Sequence, residues 1–368
     1  MKTRVIQVDR EKPDPAAIDE AAAALRAGKL VVFPTETVYG LGANALDPIA
    51  VQKIFDAKER PASDPLIVHI AHIGQVTQCA AAMPAGARKL GLSFWAGPLT
   101  LILAKKPEIP DLVTAGLPSV AVRVPSHRVA RALMEMAGLP IAAPSANRFS
   151  RPSPTMAAHV IEDLDGRVDL VLDAGPTDIG LESTIVDFTV DPPVLRRPGG
   201  ITFEEVHAIV PEVVVQAEQA GAERPQVAPG QMTRHYAPKA ELTLYEGPRD
   251  AVIRRLATEV RSATAAGDRV GILAPEEDLS ALAPEVAARA ASGRIEAFPY
   301  GSRSDLERSG RELYGAIRAL DATGVAKIFA VGVGSQGLAA AIHDRLVRAA
   351  AGRVRTVANE KSSSSHLS

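Results

Sequence analysis

Residues 31–45 read VVFPTETVYGLGANA. Val31, Val32 and Phe33 form an apolar, β-prone run, and Pro34 ends it because proline has no N–H to give to a ladder. Thr35, Glu36, Thr37, Tyr39, Gly40 and Gly42 follow, which is the outline of a strand running into a ligand loop. Such loops usually hold phosphate through G-x-x-x-x-G-K or G-x-G-x-x-G, and neither pattern is here. The segment predicts a strand end rich in hydroxyls that meets its ligand in some other way.

Working outward, the runs KLVVFP, PLIVHI, LTLILAK, VAVRVP, PIAAPSA, VDLVLDAG, STIVDF and PVLRRPG read as short strands. Alanine-rich helical stretches such as 15–27 and 127–137 lie between them. The interleaving lacks strict βαβ regularity, which predicts an α/β first domain over residues 1–208, a twisted mixed sheet with helices packed on it. Residues 209–241 mix Pro, Gly and polar residues and read as a flexible linker. Over 242–350 the strand-like runs LTLYEG, DRVGILAP, GRIEAFPYG and AKIFAVGV alternate with helical periodicity, predicting a parallel, Rossmann-like α/β second domain. Residues 351–368 read as a disordered tail.

The bulk properties agree with two soluble globular domains. The chain has 368 residues, 46% hydrophobic and 23% charged, with a formal net charge of -2. No global field draws it to a polyanion, so any anionic ligand must be met by a local cluster. One cysteine, Cys79, excludes an intramolecular disulfide and a cysteine-rich metal site. The first residues, MKTRVIQVDREKPD, have no signal-peptide core, and no apolar run approaches the roughly 20 residues of a membrane span. A cytoplasmic protein with no membrane partner is the expectation.

Several loops carry candidate chemistry. Lys58 and Arg60 sit where a helix gives way to Pro61 and Pro65, placed for phosphate or simply complementing the helix dipole. His69, inside an apolar strand, reads by itself as a satisfied core residue. Arg123, flanked by valines, requires an anion, either a structural carboxylate or that of a substrate. AAPSANRFSRPSPT (142–155) is a stiff polar loop after a buried strand, the kind of place where ligands are held. Ser183 and Thr184 stand at a strand mouth, Arg197 precedes a Pro-Gly-Gly turn, and Arg234, His235 and Tyr236 are unusual company for a spacer. Gly332-x-Gly334-x-x-Gly337 matches a dinucleotide fingerprint only formally, since it lies at the end of the chain and no acidic strand follows. There is no H-E-x-x-H and no paired carboxylate at metal-ligand spacing. Cations and neutral hydroxyls without an obvious nucleophile suit nucleotidyl transfer, where positioning and charge neutralisation, helped by Mg²⁺, supply most of the rate.

The ordered set FPTETVYGLGANA, KERPASDPLIVHI, WAGPLTLIL, VAVRVPSH, APSANRFSRPSPT, GLESTIVDF and VLRRPGG resembles the YrdC domain. With APGQMTRHYAPK and the segment after it, nearly the whole chain except the tail resembles the two-domain Sua5 family. The resemblance implies threonylcarbamoyl-AMP and pyrophosphate made from L-threonine, bicarbonate and ATP with Mg²⁺. It implies delivery of the product to a threonylcarbamoyl transferase complex that modifies tRNA. It implies that Thr35 or Thr37, His69, Arg123 and Ser183 hold threonine, with Arg123 facing its carboxylate. Lys58, Arg60, Ser145, Asn147, Ser153 and Arg197 are implied to hold ATP, with Tyr236 closing over the site from the linker. Two departures stand out: Asp64 replaces the family's asparagine, and Phe149 with Ser150 replaces a small pair. The rival reading is an RNA-binding module, which needs a basic stripe with exposed aromatics. With 4% aromatics and a net charge of -2, the chain argues for weak RNA contact at most.

Overall fold

The computed structural model describes residues 2–215, 227–230, 232, 235–290 and 293–358, with the side chains of 289 and 290 left aside. The first domain is built on a mixed sheet ordered β1-β8-β2-β3-β7-β4-β6-β5-β9-β10-β11. Its strands are β1 (Arg4–Gln7), β2 (Val31–Phe33), β3 (Gly40–Asn44), β4 (Ile67–His69), β5 (Leu99–Ala104), β6 (Ser119–Arg123), β7 (Ile141–Ala142), β8 (Leu170–Asp173), β9 (Thr184–Asp187), β10 (Val194–Arg197) and β11 (Val214–Val215). Its helices are α1 (Pro15–Arg26), α2 (Pro48–Lys58), α3 (Ala85–Phe94), α4 (Arg128–Ala137), α5 (Ala157–Leu164) and α6 (Phe203–Ile209).

Strand alternation sends neighbouring residues to opposite faces. Val31, Phe33, Leu170 and Leu172 join α1 and α4 in one core, while Val32, Val171 and Ala142 join α2, α3 and α5 in the other. Local signals start the helices. Asp47 caps α2 by accepting from the N–H groups of Ile49 at 2.9 Å and Ala50 at 3.2 Å, and Pro48 fills the first helical position. Glu59, in a left-handed conformation with φ 56°, ends it. Cys79 is fully buried in this core, and burial pushes its thiol up to about 12.

The second domain holds five parallel strands, β12 (Glu241–Glu246), β13 (Val270–Ala274), β14 (Ile295–Pro299), β15 (Lys327–Val331) and β16 (Val354–Thr356), ordered β14-β13-β15-β12-β16. Helices α7 (Arg249–Ala265) and α8 (Glu276–Ala290) cover one face, and α9 (Leu306–Ala322) and α10 (Leu338–Ala349) the other. The parallel sheet is the expected one, but its order differs from the classic dinucleotide-binding order. Gly334 and Gly337, with φ 103° and 55°, shape the turn into α10.

Two expected boundaries change. The first sheet runs past residue 208, because Val214–Val215 pairs in parallel with β10 inside the stretch read as linker. The expected disordered tail begins with a strand, Val354–Thr356, which adds to the edge of β12. Its V-R-T sequence is too short to stand out beside the polar residues after it. Residues 359–368 lie outside the described residues, as does Arg234.

The domains pack closely. Val38, Leu181 and Tyr236 share a core with Leu313, Tyr314 and Ile317 of α9. Arg318 of α9 donates to the Pro152 carbonyl at 2.5 Å and to Asp163 at 2.7 Å.

Candidate active site

β2 and β3 form a hairpin, with Val31 opposite Gly42 and Phe33 opposite Gly40. A Cβ on Gly42 would lie 2.8 Å from the Phe33 ring and 2.9 Å from an Ile141 methyl. Glycine is thus required for β3 to fit between β2 and β7. The loop between the two strands holds Thr35, Glu36 and Thr37, all buried. Thr35 Oγ1 donates to the Val38 carbonyl at 2.6 Å and accepts from the N–H groups of Thr37 and Val38. With its proton so used, it accepts from the Thr37 hydroxyl at 2.8 Å. Backbone bonds tie this loop to its neighbours: Tyr39 N–H to Pro154 O, Ile179 N–H to Glu36 O and Gly180 N–H to Thr37 O.

Around the loop lies a cavity open to solvent. Three arginines from separate segments reach it: Arg60 after α2, Arg123 at the end of β6, and Arg197 at the end of β10. Arg123 Nη2 pairs with Glu36 Oε1 at 2.7 Å, and Glu36 also accepts from Ser126 N–H at 3.1 Å. A structural carboxylate therefore meets one edge of this guanidinium. Among the described residues Nη1 makes no hydrogen bond, so a second anion can be accepted there. Arg60 donates to the carbonyls of Asp64 at 3.1 Å and Pro65 at 2.8 Å. Asp64 Oδ1 lies 2.9 Å from Arg60 Nη2, yet neither carboxylate oxygen makes a hydrogen bond, so this is a charge contact with poor alignment. Burial raises the Asp64 carboxyl above its ordinary value against the pull of Arg60 and Lys58. Arg197 donates to the Ser183 carbonyl and hydroxyl and to the Pro229 carbonyl. The Ser183 hydroxyl is 2.7 Å from that of Thr100.

His69 lines the same space with Nδ1 buried and unpaired. Burial, helped by Arg123, pushes its imidazole down to about 3, so it is neutral at physiological pH. Glu182, Pro229, Gly230, His235 and Tyr236 complete the wall. Tyr236 adopts φ 59° and is buried, with His235 centred 4.0 Å and Tyr314 5.4 Å from its ring. A Cβ on Gly230 would stand 2.7 Å from the Tyr236 hydroxyl.

The family model described as "Telomere recombination" (Sua5_yciO_yrdC) matches residues 23–199, and that described as "Threonylcarbamoyl-AMP synthase, C-terminal domain" (Sua5_C) matches 201–351. The chain belongs to the Sua5 family. It is similar to the threonylcarbamoyl-AMP synthase of Pyrococcus abyssi, with 44% identity over 96% of this chain and 99% of that protein. The Bacillus subtilis threonylcarbamoyl-AMP synthase is 43% identical over 96% and 99%. Among solved structures, Pyrococcus abyssi Sua5 complexed with L-threonine superposes with a TM-score of 0.88 and 43% identity, covering 97% of this chain and 100% of that one.

In this Sua5-family chain the expected threonine set, Thr35, Thr37, His69, Arg123 and Ser183, all lines the cavity. Of the expected ATP set, Arg60, Ser145, Arg197 and Tyr236 line it, whereas Lys58, Asn147 and Ser153 stand behind. Lys58 Nζ donates at 2.6 Å to the carbonyls of both Ser145 and Asn147, clamping the polar loop. Burial and the charge of Arg60 push its ammonium well below the ordinary lysine value. Asn147 accepts from Ser145 and donates to two further loop carbonyls, and Ser153 donates to Glu182.

The departures from the family pattern have partners too. The Phe149 ring meets His235 edge-on, and the Ser150 carbonyl accepts from Ala237 N–H at 2.7 Å, so the altered lip docks the linker. The residues missed by sequence reading are Glu36 and Glu182, whose arginine partners lie far along the chain. Gly199 also escaped notice. Its Cβ position is 2.3 Å from Thr184 N and 2.4 Å from Glu182 O, both rigid backbone. Gly199→Ala is expected to lower stability by about 3 kcal/mol in urea unfolding, and a loss under about 1 kcal/mol contradicts this packing.

Proposed function

We propose that the chain makes threonylcarbamoyl-AMP and pyrophosphate from L-threonine, bicarbonate and ATP. The supporting observation is the convergence of Arg60, Arg123 and Arg197 on one cavity that also presents the Thr37 and Ser183 hydroxyls and a neutral imidazole. The threonine amine and bicarbonate form a carbamate with loss of water. A carbamate oxygen bonds to the α-phosphorus, the bond to the β-phosphate bridging oxygen breaks, and pyrophosphate leaves with that electron pair. No enzyme nucleophile is needed.

Arg123 takes the threonine carboxylate on its unoccupied edge, with Thr35, Thr37, His69 and Ser183 around the amino acid. Arg60 and Arg197 meet the nucleotide phosphates, joined by the Ser145 hydroxyl once it turns its proton from Asn147. Lys58, Asn147 and Ser153 hold the polar loop in shape, and Tyr236 shields the reacting groups from water. Among the described residues no group of three His, Cys, Asp or Glu is placed for a cation. Mg²⁺ would arrive with the nucleotide and would supply charge neutralisation at its phosphates. The product passes to a transferase complex acting on tRNA, with synthesis in the cytoplasm. Pyrophosphate release should require ATP, threonine and bicarbonate together. Release that ignores threonine would overturn the assignment.

A further inference from the structure

Among the described residues lining the cavity, Glu182 is the only carboxylate, and it adjoins Ser183, the partner of Arg197. A bare anion there would repel nucleotide phosphates and compete for Arg197. Two of the groups that satisfy it come from the second domain. Arg345 of α10 donates from Nε to Glu182 Oε2 at 2.7 Å, and the Tyr314 hydroxyl lies 3.0 Å from both carboxylate oxygens. From the first domain, Ser153 donates to Oε1 at 2.6 Å.

Arg345 is an arginine with no exposed surface. It also donates to the Pro198 carbonyl at 2.9 Å, pairs with Asp344 at 2.7 Å, and lies 5.5 Å over the Tyr236 ring. A buried ion pair is a poor device for stability alone, since an apolar pair of similar volume does as well or better. Glu182 lines the cavity and Arg345 backs it from behind, which gives the pair another use.

We propose that Arg345 is a positioning residue for the reaction: the second domain supplies it to neutralise Glu182, which leaves Arg197 to the nucleotide phosphates. This rests on the nucleotide reading of the cavity given above. In the folded protein, burial would raise the Glu182 carboxyl, but Arg345 and Arg197 outweigh burial and hold it below the usual range. With Arg345 gone, the same burial raises Glu182, and acid rather than arginine must then neutralise it.

The test is steady-state kinetics of the full chain. Arg345→Met keeps length and apolar contact with Tyr236 while removing charge. It is expected to raise KM for ATP roughly 10- to 50-fold, with KM for threonine at saturating ATP changed by less than about threefold. Lowering the pH from about 8 to about 6 should recover part of that loss in the variant and not in the wild type. The double variant Arg345→Met/Glu182→Gln removes the anion as well and should return KM for ATP to within about threefold of wild type. A double variant as impaired as the single one, or ATP and threonine constants rising together, overturns the proposal and leaves Arg345 a structural residue. If the single variant does not fold, the neutral pair alone decides, near-wild-type KM supporting the proposal and a rise of about tenfold overturning it. Wild-type protein that does not turn over ATP would instead overturn the assigned reaction, so the two failures are distinct.

Discussion

Arg123→Ala is expected to abolish threonine-dependent pyrophosphate release, with kcat/KM for threonine down by at least about 100-fold. The guanidinium sits at the end of β6, is 4% exposed, and is aimed into the cavity from a strand paired on both sides. Such a cation, with one edge unused, recognises a carboxylate far better than a mobile surface lysine does. The same substitution strands Glu36, whose buried carboxylate takes Arg123 at 2.7 Å, and breaking a buried pair costs about 3–5 kcal/mol. Loss of activity by itself is therefore ambiguous. Adding Glu36→Gln relieves the stranded charge, so Arg123→Ala/Glu36→Gln should regain most of the stability, read by urea unfolding, while remaining inactive. If the double variant recovers threonine-dependent turnover, Arg123 serves only Glu36 and the carboxylate assignment is wrong.

The second large effect is acid unfolding. Burial holds His69 down to about 3 and His159 down to about 4, and lowers His127 and His235 as well. In the unfolded chain each titrates near its ordinary value of about 6.5. Between the folded and unfolded values the unfolded chain binds more protons, so stability rises with pH and is lost as pH falls below about 6.5. His69 by itself should lower stability by roughly 3 kcal/mol at about pH 4. Urea midpoints measured from about pH 7 to about pH 4 should fall steeply, and His69→Asn should flatten the slope. Equal midpoints at about pH 7 and about pH 5 would show these imidazoles to be solvated.

Much of the fold was legible because its strands are β-branched runs between turn signals, as in PLIVHI or VDLVLDAG. β3 was not, because GLGAN looks like loop; only the packing of Phe33 and Ile141 against Gly42 explains why a strand there must be glycine. Part of the site was legible for the same local reason. Arg123 among valines and serines after a buried strand announce a polar requirement in an apolar setting. Lys58 shows where local reading reaches its limit. A lysine at a helix end suggests phosphate, yet the fold turns it inward to hold two carbonyls. Glu182 was invisible for a different reason, since its second-domain partners lie 132 and 163 residues away. Nothing in the sequence ties the parallel α/β second domain to the site; the packing of α9 and α10 against Leu181, Tyr236 and Glu182 brings it up behind the cavity wall.

The chain's one thiol, on Cys79, sits fully inside the first domain's core with its ionisation suppressed. Alkylating dyes and spin labels react with thiolates and need access, so the native protein is a silent background for them. A cysteine placed at exposed Leu92 and another at exposed Arg254 would be the reactive pair, with no need to delete the natural one. Fluorescence transfer between them would then follow the separation of the two domains during turnover, in the enzyme's own sequence apart from two surface side chains.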